Sequence, residues 1–254
     1  MKKLSLVLGS GGLRGMAHIG VLKVLEEEKI PIGMIVGCSI GSLIGALYAS
    51  GYSAQQLKRM THHLRKREWL DFVVPRMGLF AGKKILTVMD VMTRQRKIED
   101  TAIPLYIVAA DLLSGQEVVL EQGSIAEAVR ASTAVPGIFA PFAQDGKLYA
   151  DGALVNPTPV DVAKRMGGDI VVGIDLAGDS SDVKITNIVD VVLRSIDVVE
   201  RQIGGEKYKE ADVLICPAVG HISPSDFDSV AECIRLGEEA ARSHIDEIRQ
   251  LLAD

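Results

Sequence analysis

The stretch that decides the fold is Ile35-Val36-Gly37-Cys38-Ser39-Ile40-Gly41-Ser42-Leu43-Ile44-Gly45-Ala46-Leu47. Apolar residues lead into Gly37, Ser39 lies between Gly37 and Gly41, and a run rich in alanine and leucine follows. This order predicts a strand, a sharp turn and a helix, with the serine hydroxyl exposed at the turn. Gly-x-Ser-x-Gly in that setting indicates a nucleophilic serine. The alternative is that Ser39 only caps the helix, since serine is a preferred N-cap residue.

A second glycine-rich turn, Gly9-Ser10-Gly11-Gly12-Leu13-Arg14-Gly15, follows a short apolar run near the start of the chain. That run predicts a buried first strand, and the residues after the turn keep the spacing of a helix. Two strand–turn–helix units within the first fifty residues predict a parallel sheet covered by helices. The expected fold class is therefore α/β.

The backbone N–H groups of such a turn can bind an anion. A dinucleotide site needs Gly-x-Gly-x-x-Gly, but Arg14 occupies the sixth position counted from Gly9, and no acidic residue ends the second strand. The other use is an oxyanion hole, in which the N–H groups stabilise a tetrahedral intermediate. Both turns open on the same edge of a parallel sheet, which favours this second use.

Further along the chain, the pattern predicts a hairpin of strands at 104–110 and 117–120. It predicts loops at 77–82 and 135–141, and one long closing helix over 226–252. No linker or low-complexity tract divides the chain, so residues 1–254 are expected to form a single domain.

Composition narrows the class of protein. The 254 residues are 48% hydrophobic and carry a formal net charge of -5, which argues against a dedicated nucleic-acid binder. Three widely spaced cysteines indicate neither a disulfide framework nor a metal site, and fit a reducing compartment. No apolar run approaches the ~20 residues that span a bilayer. The protein is expected in the cytoplasm, and a peripheral location at a membrane is the further option.

A nucleophilic serine needs a base. Among the five histidines, His221 is the one on a loop after a late strand, and a Ser–Asp–His chain order suits it. Asp151-Gly152 is a second candidate position, although Asp-Gly after a strand is most often a turn. The residues taken singly leave both alternatives open.

Taken together, the blocks resemble the bacterial branch of the patatin-like phospholipase family. The resemblance is carried by the two glycine turns, by Asp151-Gly152-Ala153 and by the stretches at 17–22 and 130–141, and it covers about residues 4–175. It implies a three-layer sandwich with a mainly parallel central sheet and helices on both faces. One departure is visible, because Ser10 stands where many relatives have glycine.

The resemblance implies a Ser–Asp dyad that hydrolyses fatty-acyl esters of lipids without a cofactor or metal. Ser39 is then the nucleophile and Asp151 the general base, whose pKa rises if the carboxyl is buried. The amides of the turn form the oxyanion hole, and Arg14 also brings positive charge. The expected oxyanion residues are Gly11, Gly12, Leu13 and Arg14, supported by Gly15, Gly37, Gly41 and Gly152.

Two further alternatives stay open. One is a non-catalytic adaptor that keeps the fold and binds a protein partner. The other concerns the basic stretch from Lys58 to Phe72, which contains Trp69: it either contacts a membrane surface transiently or packs its aromatic residues into the core. The sequence gives no indication of oligomeric state.

Overall fold

The computed structural model describes residues 2–62, 71, 77–178, 185–186 and 188–253. Within these ranges the chain forms an eight-stranded sheet made of β1 (Leu4–Leu8), β2 (Ile32–Cys38), β4 (Leu105–Asp111), β5 (Glu117–Leu120), β7 (Phe142–Gln144), β8 (Lys147–Asp151), β9 (Ile170–Ile174) and β10 (Val213–Ile215). The strands lie in the order β10-β9-β1-β2-β4-β8-β7, with β5 paired to β4. The first five strands in this order are parallel to one another, whereas β5 and β8 pair antiparallel with β4, and β7 pairs antiparallel with β8. The expected mainly parallel central sheet is confirmed.

Two further strands, β3 (Gly78–Phe80) and β6 (Gly137–Phe139), have three residues each and pair with each other as a separate small sheet.

The described helices are mostly short. They are α1 (Ala17–Glu27), α2 (Ile40–Ala49), α3 (Ala54–Thr61), α4 (Lys83–Met92), α5 (Ile125–Ser132), α6 (Val160–Arg165), α7 (Ile188–Lys207), α8 (Val230–Arg242) and α9 (Ile245–Ala253). In the residues that the structure describes, no helix is both long and apolar enough to span a membrane.

Helices cover both faces of the sheet. Every residue of β1 is buried, as expected for a central parallel strand with both faces covered. Leu4, Leu6 and Leu8 pack with apolar residues of α1, α2 and α8, while Val7 packs with residues of α6 on the opposite face. This alternation follows from the period of two in strands, and it gives the three layers that the sequence resemblance implies.

The strand register brings the functional turns to one edge. Leu8 pairs with Gly37, so the turns that follow β1 and β2 lie side by side. Cys38 pairs with Val108, and the next residue of β4, Ala109, pairs with Asp151. The ends of β2 and β8 therefore meet across β4.

Two of the predicted loops are wrong. The segments expected as loops at 77–82 and 135–141 contain β3 and β6, which pair in parallel through Gly78–Gly137 and Phe80–Phe139. Strands of three residues are too short to show an alternating pattern in the sequence.

The expected closing helix over 226–252 is in fact two helices, α8 and α9, with a break at Ser243 and His244. The Ser243 hydroxyl and the His244 Nδ1 atom both lie within hydrogen-bond distance of the Ala240 carbonyl oxygen. Side chains that bond a nearby backbone carbonyl compete with the helical ladder, which accounts for the break.

Candidate active site

Ser39 lies at the turn between β2 and α2, with φ 52° and ψ -122°. A positive φ is uncommon for a non-glycine residue, and here it directs the side chain away from the helix that follows. Its hydroxyl makes no capping hydrogen bond to α2. Instead, Ser39 Oγ donates to Oδ2 of Asp151 at 2.6 Å. The interpretation of Ser39 as a simple helix cap is therefore wrong.

Asp151 ends β8 and is buried. Its second oxygen, Oδ1, accepts a hydrogen bond of 2.9 Å from the Ala153 N–H. Burial raises the pKa of Asp151 to about 6, against the lowering effect of the hydrogen bonds from Ser39 and Ala153. The carboxylate is therefore ionised at neutral pH and more basic than a solvated aspartate.

The backbone on both sides of Ser39 is held by serine hydroxyls. The Ser39 N–H donates to Oγ of Ser132 at 2.8 Å, and Ser132 Oγ donates to the Val108 carbonyl at 2.6 Å. Ser42 Oγ donates to the Ser39 carbonyl at 2.6 Å. Ser132 had no predicted role, and the one signal for it in the sequence is its place within the 130–141 block.

The glycine-rich turn passes through Gly11 and Gly12, with φ 146° and 58°. These values are accessible to glycine and strained for other residues. The Leu13 N–H donates to the Pro224 carbonyl at 2.8 Å. The expectation that Leu13 offers a free amide to an oxyanion is therefore wrong in this conformation. Among the described contacts, the N–H groups of Gly11 and Gly12 have no acceptor.

The Arg14 side chain lies inside the fold. Its guanidinium forms an ion pair with Asp197 of α7 and donates to the Leu176 carbonyl at 3.2 Å. Because Asp197 balances the charge, the expectation that Arg14 brings positive charge to the site is wrong. The residue instead ties the glycine turn to α7.

The supporting glycines are positions of close packing. A Cβ atom at Gly41 would lie 2.0 Å from the Leu8 carbonyl oxygen, and one at Gly152 would lie 2.4 Å from that of Val108. Gly37 and Gly15 are similarly confined, by the Ser42 backbone and by the Ile40 side chain. Because glycine has no Cβ atom, the backbone at these positions can lie this close to its neighbours, and the ends of β1, β2 and β8 lie close together.

Two of the histidines, His221 and His18, differ in burial and in hydrogen-bond partner. His221 is exposed, and its Nε2 lies 3.4 Å from Glu232, whereas the described partner of the Ser39 hydroxyl is Asp151. His18 is fully buried, with Nε2 2.8 Å from the Gly9 carbonyl oxygen. Burial lowers the pKa of His18 to about 4, so the ring is neutral and donates from Nε2. His18 therefore supports the first residue of the glycine turn.

A cavity of about 720 Å³ opens beside Ser39. Its wall includes Gly12 and Leu13 from the glycine turn, and it extends along one side of α2. Most of its lining is apolar: Met16, Ile19, Ile40, Leu43, Ile44, Leu47, Leu57, Met60, Phe80, Ile85, Val88, Met92, Val135, Ile138, Phe139, Val189, Leu193 and Phe227. No group of His, Cys, Asp or Glu suited to a metal ion occurs in the described part of the chain.

Trp69 and Phe72, the aromatic residues of the basic stretch, lie outside the described residues. Lys58, the first residue of the basic stretch, lies within the described residues, and its Nζ atom is 3.3 Å from Oε1 of Glu238.

The chain is similar in sequence to proteins of the patatin-like phospholipase and NTE families. Mouse (Mus musculus) patatin-like phospholipase domain-containing protein 6 is 37% identical over 193 residues, 70% of this chain and 14% of that protein. An uncharacterized NTE family protein of Mycobacterium tuberculosis is 36% identical over 182 residues, 70% of this chain and 50% of that protein. The chain thus spans half or less of the length of these two relatives.

The fold is shared with solved structures at low sequence identity. The crystal structure of VipD from Legionella pneumophila aligns with a TM-score of 0.67 and 14% identity, over 97% of this chain and 67% of that one. That of the type III effector protein ExoU aligns with a TM-score of 0.56. The family model for patatin-like phospholipase matches residues 6–164, a range that holds both glycine turns, Ser39 and Asp151. By that match, the chain belongs to the patatin-like phospholipase family.

Proposed function

We propose that this chain is a serine hydrolase of fatty-acyl esters of lipids, in which Ser39 is the nucleophile and Asp151 the general base. The observation that carries the proposal is the 2.6 Å hydrogen bond that Ser39 Oγ donates to the buried carboxylate of Asp151, with Ser39 itself in the wall of an apolar cavity. Membership of the patatin-like phospholipase family supports the same chemistry.

In the first step Ser39 Oγ attacks the ester carbonyl carbon while its proton moves to Asp151 Oδ2. The carbonyl π electrons move to oxygen and form a tetrahedral oxyanion. The N–H groups of Gly11 and Gly12, which have no acceptor among the described residues, are the donors best suited to this charge, because the amide of Leu13 is occupied. Collapse of the intermediate expels the alcohol, which takes the proton from Asp151 and leaves an acyl-enzyme on Ser39.

In the second step the same groups act on water. Asp151, ionised again, accepts a proton from a water molecule that attacks the acyl carbonyl carbon. The Ser39–acyl bond breaks, the fatty acid leaves, and Ser39 recovers its proton from Asp151. A pKa of about 6 leaves Asp151 ionised at neutral pH, which suits both proton transfers.

The lining of the cavity favours a long acyl chain as the part of the substrate that binds there. Its lining is largely aliphatic, and a buried methylene gains ~0.8 kcal/mol on transfer from water. Because esters of this kind reside in lipid assemblies, transient contact with a lipid surface is part of the proposal.

The test is mass spectrometry after incubation with a long-chain alkyl fluorophosphonate. We expect one adduct on Ser39, no adduct on Ser39→Ala, and normal labelling of Ser243→Ala, a variant of the exposed serine that follows α8. A screen of lipid esters then identifies the hydrolysed class. Folded protein that gives no adduct would contradict the proposal and favour the adaptor alternative.

His221→Ala separates the two possible bases. Its exposed ring pairs with Glu232, so we expect full activity. A variant that folds but has lost turnover would favour a triad that includes His221.

A further inference from the structure

The buried side chain of Arg130 has no part in the proposed reaction. Arg130 is the first residue of the 130–141 block, lies on α5 two residues before Ser132, and is only 3% exposed. Arginine is almost never fully buried unless it is paired. The negative charge of Asp71 favours the ionised guanidinium, and the Asp71 carboxylate also accepts hydrogen bonds from the Gly82 and Lys83 N–H groups. The hydrogen bonds of Arg130 itself indicate what the side chain does.

Arg130 joins two segments that are far apart in the sequence. Its Nη2 atom donates to the Ala81 carbonyl at 2.8 Å and to the Ala140 carbonyl at 2.5 Å. Ala81 directly follows β3 and Ala140 directly follows β6, the two strands of the small sheet. The Ala140 N–H in turn donates to the Phe80 carbonyl at 2.8 Å. One nitrogen atom therefore ties the ends of both strands to α5.

The guanidinium of Arg130 is closely surrounded. A Cβ atom at Gly82 would lie 2.2 Å from Arg130 Nε, so only glycine leaves the space that the side chain occupies. The Cζ atom of Arg130 lies 5.9 Å from the ring centroid of Phe139 and 5.9 Å from that of Phe142, within the range of a cation–π contact. Backbone, aromatic rings and carbonyls thus hold the guanidinium in one place.

The segments that Arg130 joins form one wall of the substrate cavity. Phe80 and Phe139, each the residue before a carbonyl that Arg130 binds, line the cavity with their ring centroids 5.7 Å apart. Helix α4 begins directly after Gly82 and adds three lining residues, and β6 adds one more. The acyl wall is defined here as Phe80, Ile85, Val88, Met92, Ile138 and Phe139.

The acyl wall extends to the end of α2 that is remote from Ser39. Helix α2 begins directly after Ser39 and ends at Ala49, so it is about 15 Å long. The hydroxyl of Tyr52, three residues after that end, donates to the Met92 carbonyl of α4 at 2.9 Å. A long acyl chain that runs along α2 therefore passes the acyl wall over much of its length, whereas a four-carbon acyl group stays near Ser39.

We propose that Arg130 is a positioning residue that sets the acyl-chain preference of the enzyme by holding the acyl wall in place beside α2. The inference rests on the proposed function, because only an enzyme that hydrolyses acyl esters can express such a preference. Arg130 shares α5 with Ser132, whose hydroxyl accepts the Ser39 N–H. One helix thus fixes both the nucleophile and the wall against which the acyl chain packs. Loss of the Arg130 contacts frees the wall and leaves the hydrogen bonds of Ser39 in place.

The test compares a palmitoyl and a butyryl ester on Arg130→Met, which removes the donor to both carbonyls and keeps an unbranched side chain. We expect kcat/KM to fall about tenfold or more for the palmitoyl ester, mainly through a higher KM, and to stay near wild type for the butyryl ester. Arg165→Met is the matched control. Arg165 pairs with Glu117 and Asp161 at α6, on the other face of the sheet, so the ratio of kcat/KM for the two esters should not change.

Gly82→Ala disturbs the same contact without changing Arg130. The added Cβ atom displaces the guanidinium, so the ratio of kcat/KM should shift in the same direction. Gly115→Ala is its matched control, because Gly115 has φ 72°, close to the 74° of Gly82, but no described atom lies within 4 Å of the added Cβ. This control should keep the wild-type ratio. Circular dichroism monitors folding, and if Arg130→Met does not fold, the two glycine variants decide.

Two outcomes overturn the inference. Equal losses on both esters would mean that the contacts of α5 act on Ser39 and not on the acyl wall. A wild-type ratio in folded Arg130→Met, or in Gly82→Ala where Arg130→Met does not fold, would mean that the wall is held without Arg130. Failure of the proposed function is seen before any variant is compared: a folded wild-type chain that hydrolyses neither ester and takes up no fluorophosphonate would overturn that function, and this inference with it.

Discussion

Ser10 Oγ donates a hydrogen bond of 2.5 Å to Oε1 of Glu200, and so joins the glycine-rich turn to the inner face of α7. Burial raises the pKa of Glu200 to about 8, with smaller contributions from the nearby charges of Asp197 and Asp151. Ser10 is the position at which the sequence departs from the glycine that the family resemblance implies. A glycine has no hydroxyl, so this contact is a property of the serine.

We expect Glu200→Gln to reduce the loss of stability that the wild type shows as the pH rises from 4.5 to about 8. Between the ordinary pKa of 4.5 and about 8, the folded chain keeps a proton that the unfolded chain releases. The free energy of unfolding therefore falls as the pH rises, by up to about 1.4 kcal/mol per pH unit. Glutamine keeps the acceptor for Ser10 but does not ionise.

Urea unfolding at pH 5 and pH 8 measures the effect. Relative to wild type, the variant should be more stable at pH 8 than at pH 5 by about 2 kcal/mol or more. Glu247→Gln, the same change at an exposed position of α9, should show the wild-type dependence. Parallel curves for Glu200→Gln and wild type would mean that Glu200 is ionised throughout.

The positions of Ser39 and Asp151 were predictable because each lies in a local motif at the end of a buried strand. A parallel sheet brings such ends to one edge, and the sequence resemblance chose between Asp151 and His221. The strand register, which pairs Cys38 with Val108 and Ala109 with Asp151, is the physical reason why Ser39 and Asp151 meet.

The state of the oxyanion amides was not predictable from local sequence. Pro224, which accepts the Leu13 N–H, lies on a loop more than two hundred residues along the chain. The pairing of Arg14 with Asp197 likewise joins distant segments. Neither contact leaves a periodic or compositional signal, because each depends on how α7 and the 217–229 segment pack over the turn.

We expect Ser132→Ala to lower kcat by about tenfold or more and to leave KM nearly unchanged. The change removes the acceptor of the Ser39 N–H and the donor to the Val108 carbonyl, and so frees the turn that aims the nucleophile. Each buried group left without a partner costs ~1–3 kcal/mol of stability. Ser132 does not contact the cavity described beside Ser39, so substrate binding should persist.

Steady-state kinetics with a soluble ester and thermal unfolding measure the two effects. Thr93→Val is the matched control: it removes a buried hydroxyl that donates to a backbone carbonyl, that of Met89, on α4. This control should lose stability and keep kcat. If both variants lost kcat to the same extent, Ser132 would have no specific role in placing Ser39.

Ester hydrolysis should show an acid limb governed by Asp151. Burial raises the pKa of this carboxyl to about 6, and only the ionised form can accept the Ser39 proton. We therefore expect kcat/KM to be level above that pH and to fall about tenfold per pH unit below it. Measurement of kcat/KM from pH 4.5 to 8, with circular dichroism at each pH to monitor folding, tests this.

Asp151→Asn should abolish turnover across this range without unfolding the chain. Asparagine retains an acceptor for the Ala153 N–H but cannot take the proton. A variant with near-normal activity would rule out Asp151 as the base. A wild-type limb near pH 4 would instead show that the carboxyl titrates as a solvated aspartate.

Leu47→Phe should shorten the acyl chain that the enzyme accepts. Leu47 lines the cavity eight residues after Ser39 on α2, which is about 12 Å along the helix axis. With C–C bonds of about 1.5 Å, an extended acyl chain needs about nine methylenes to cover that distance. We therefore expect kcat/KM to fall by about tenfold for a palmitoyl ester and to stay near wild type for a butyryl ester.

Leu236→Phe is the control, because Leu236 is a partly buried leucine on α8 outside the described cavity lining. This variant should leave the ratio of kcat/KM for the two esters unchanged. Equal losses on both esters by Leu47→Phe would mean that the acyl chain does not run along α2.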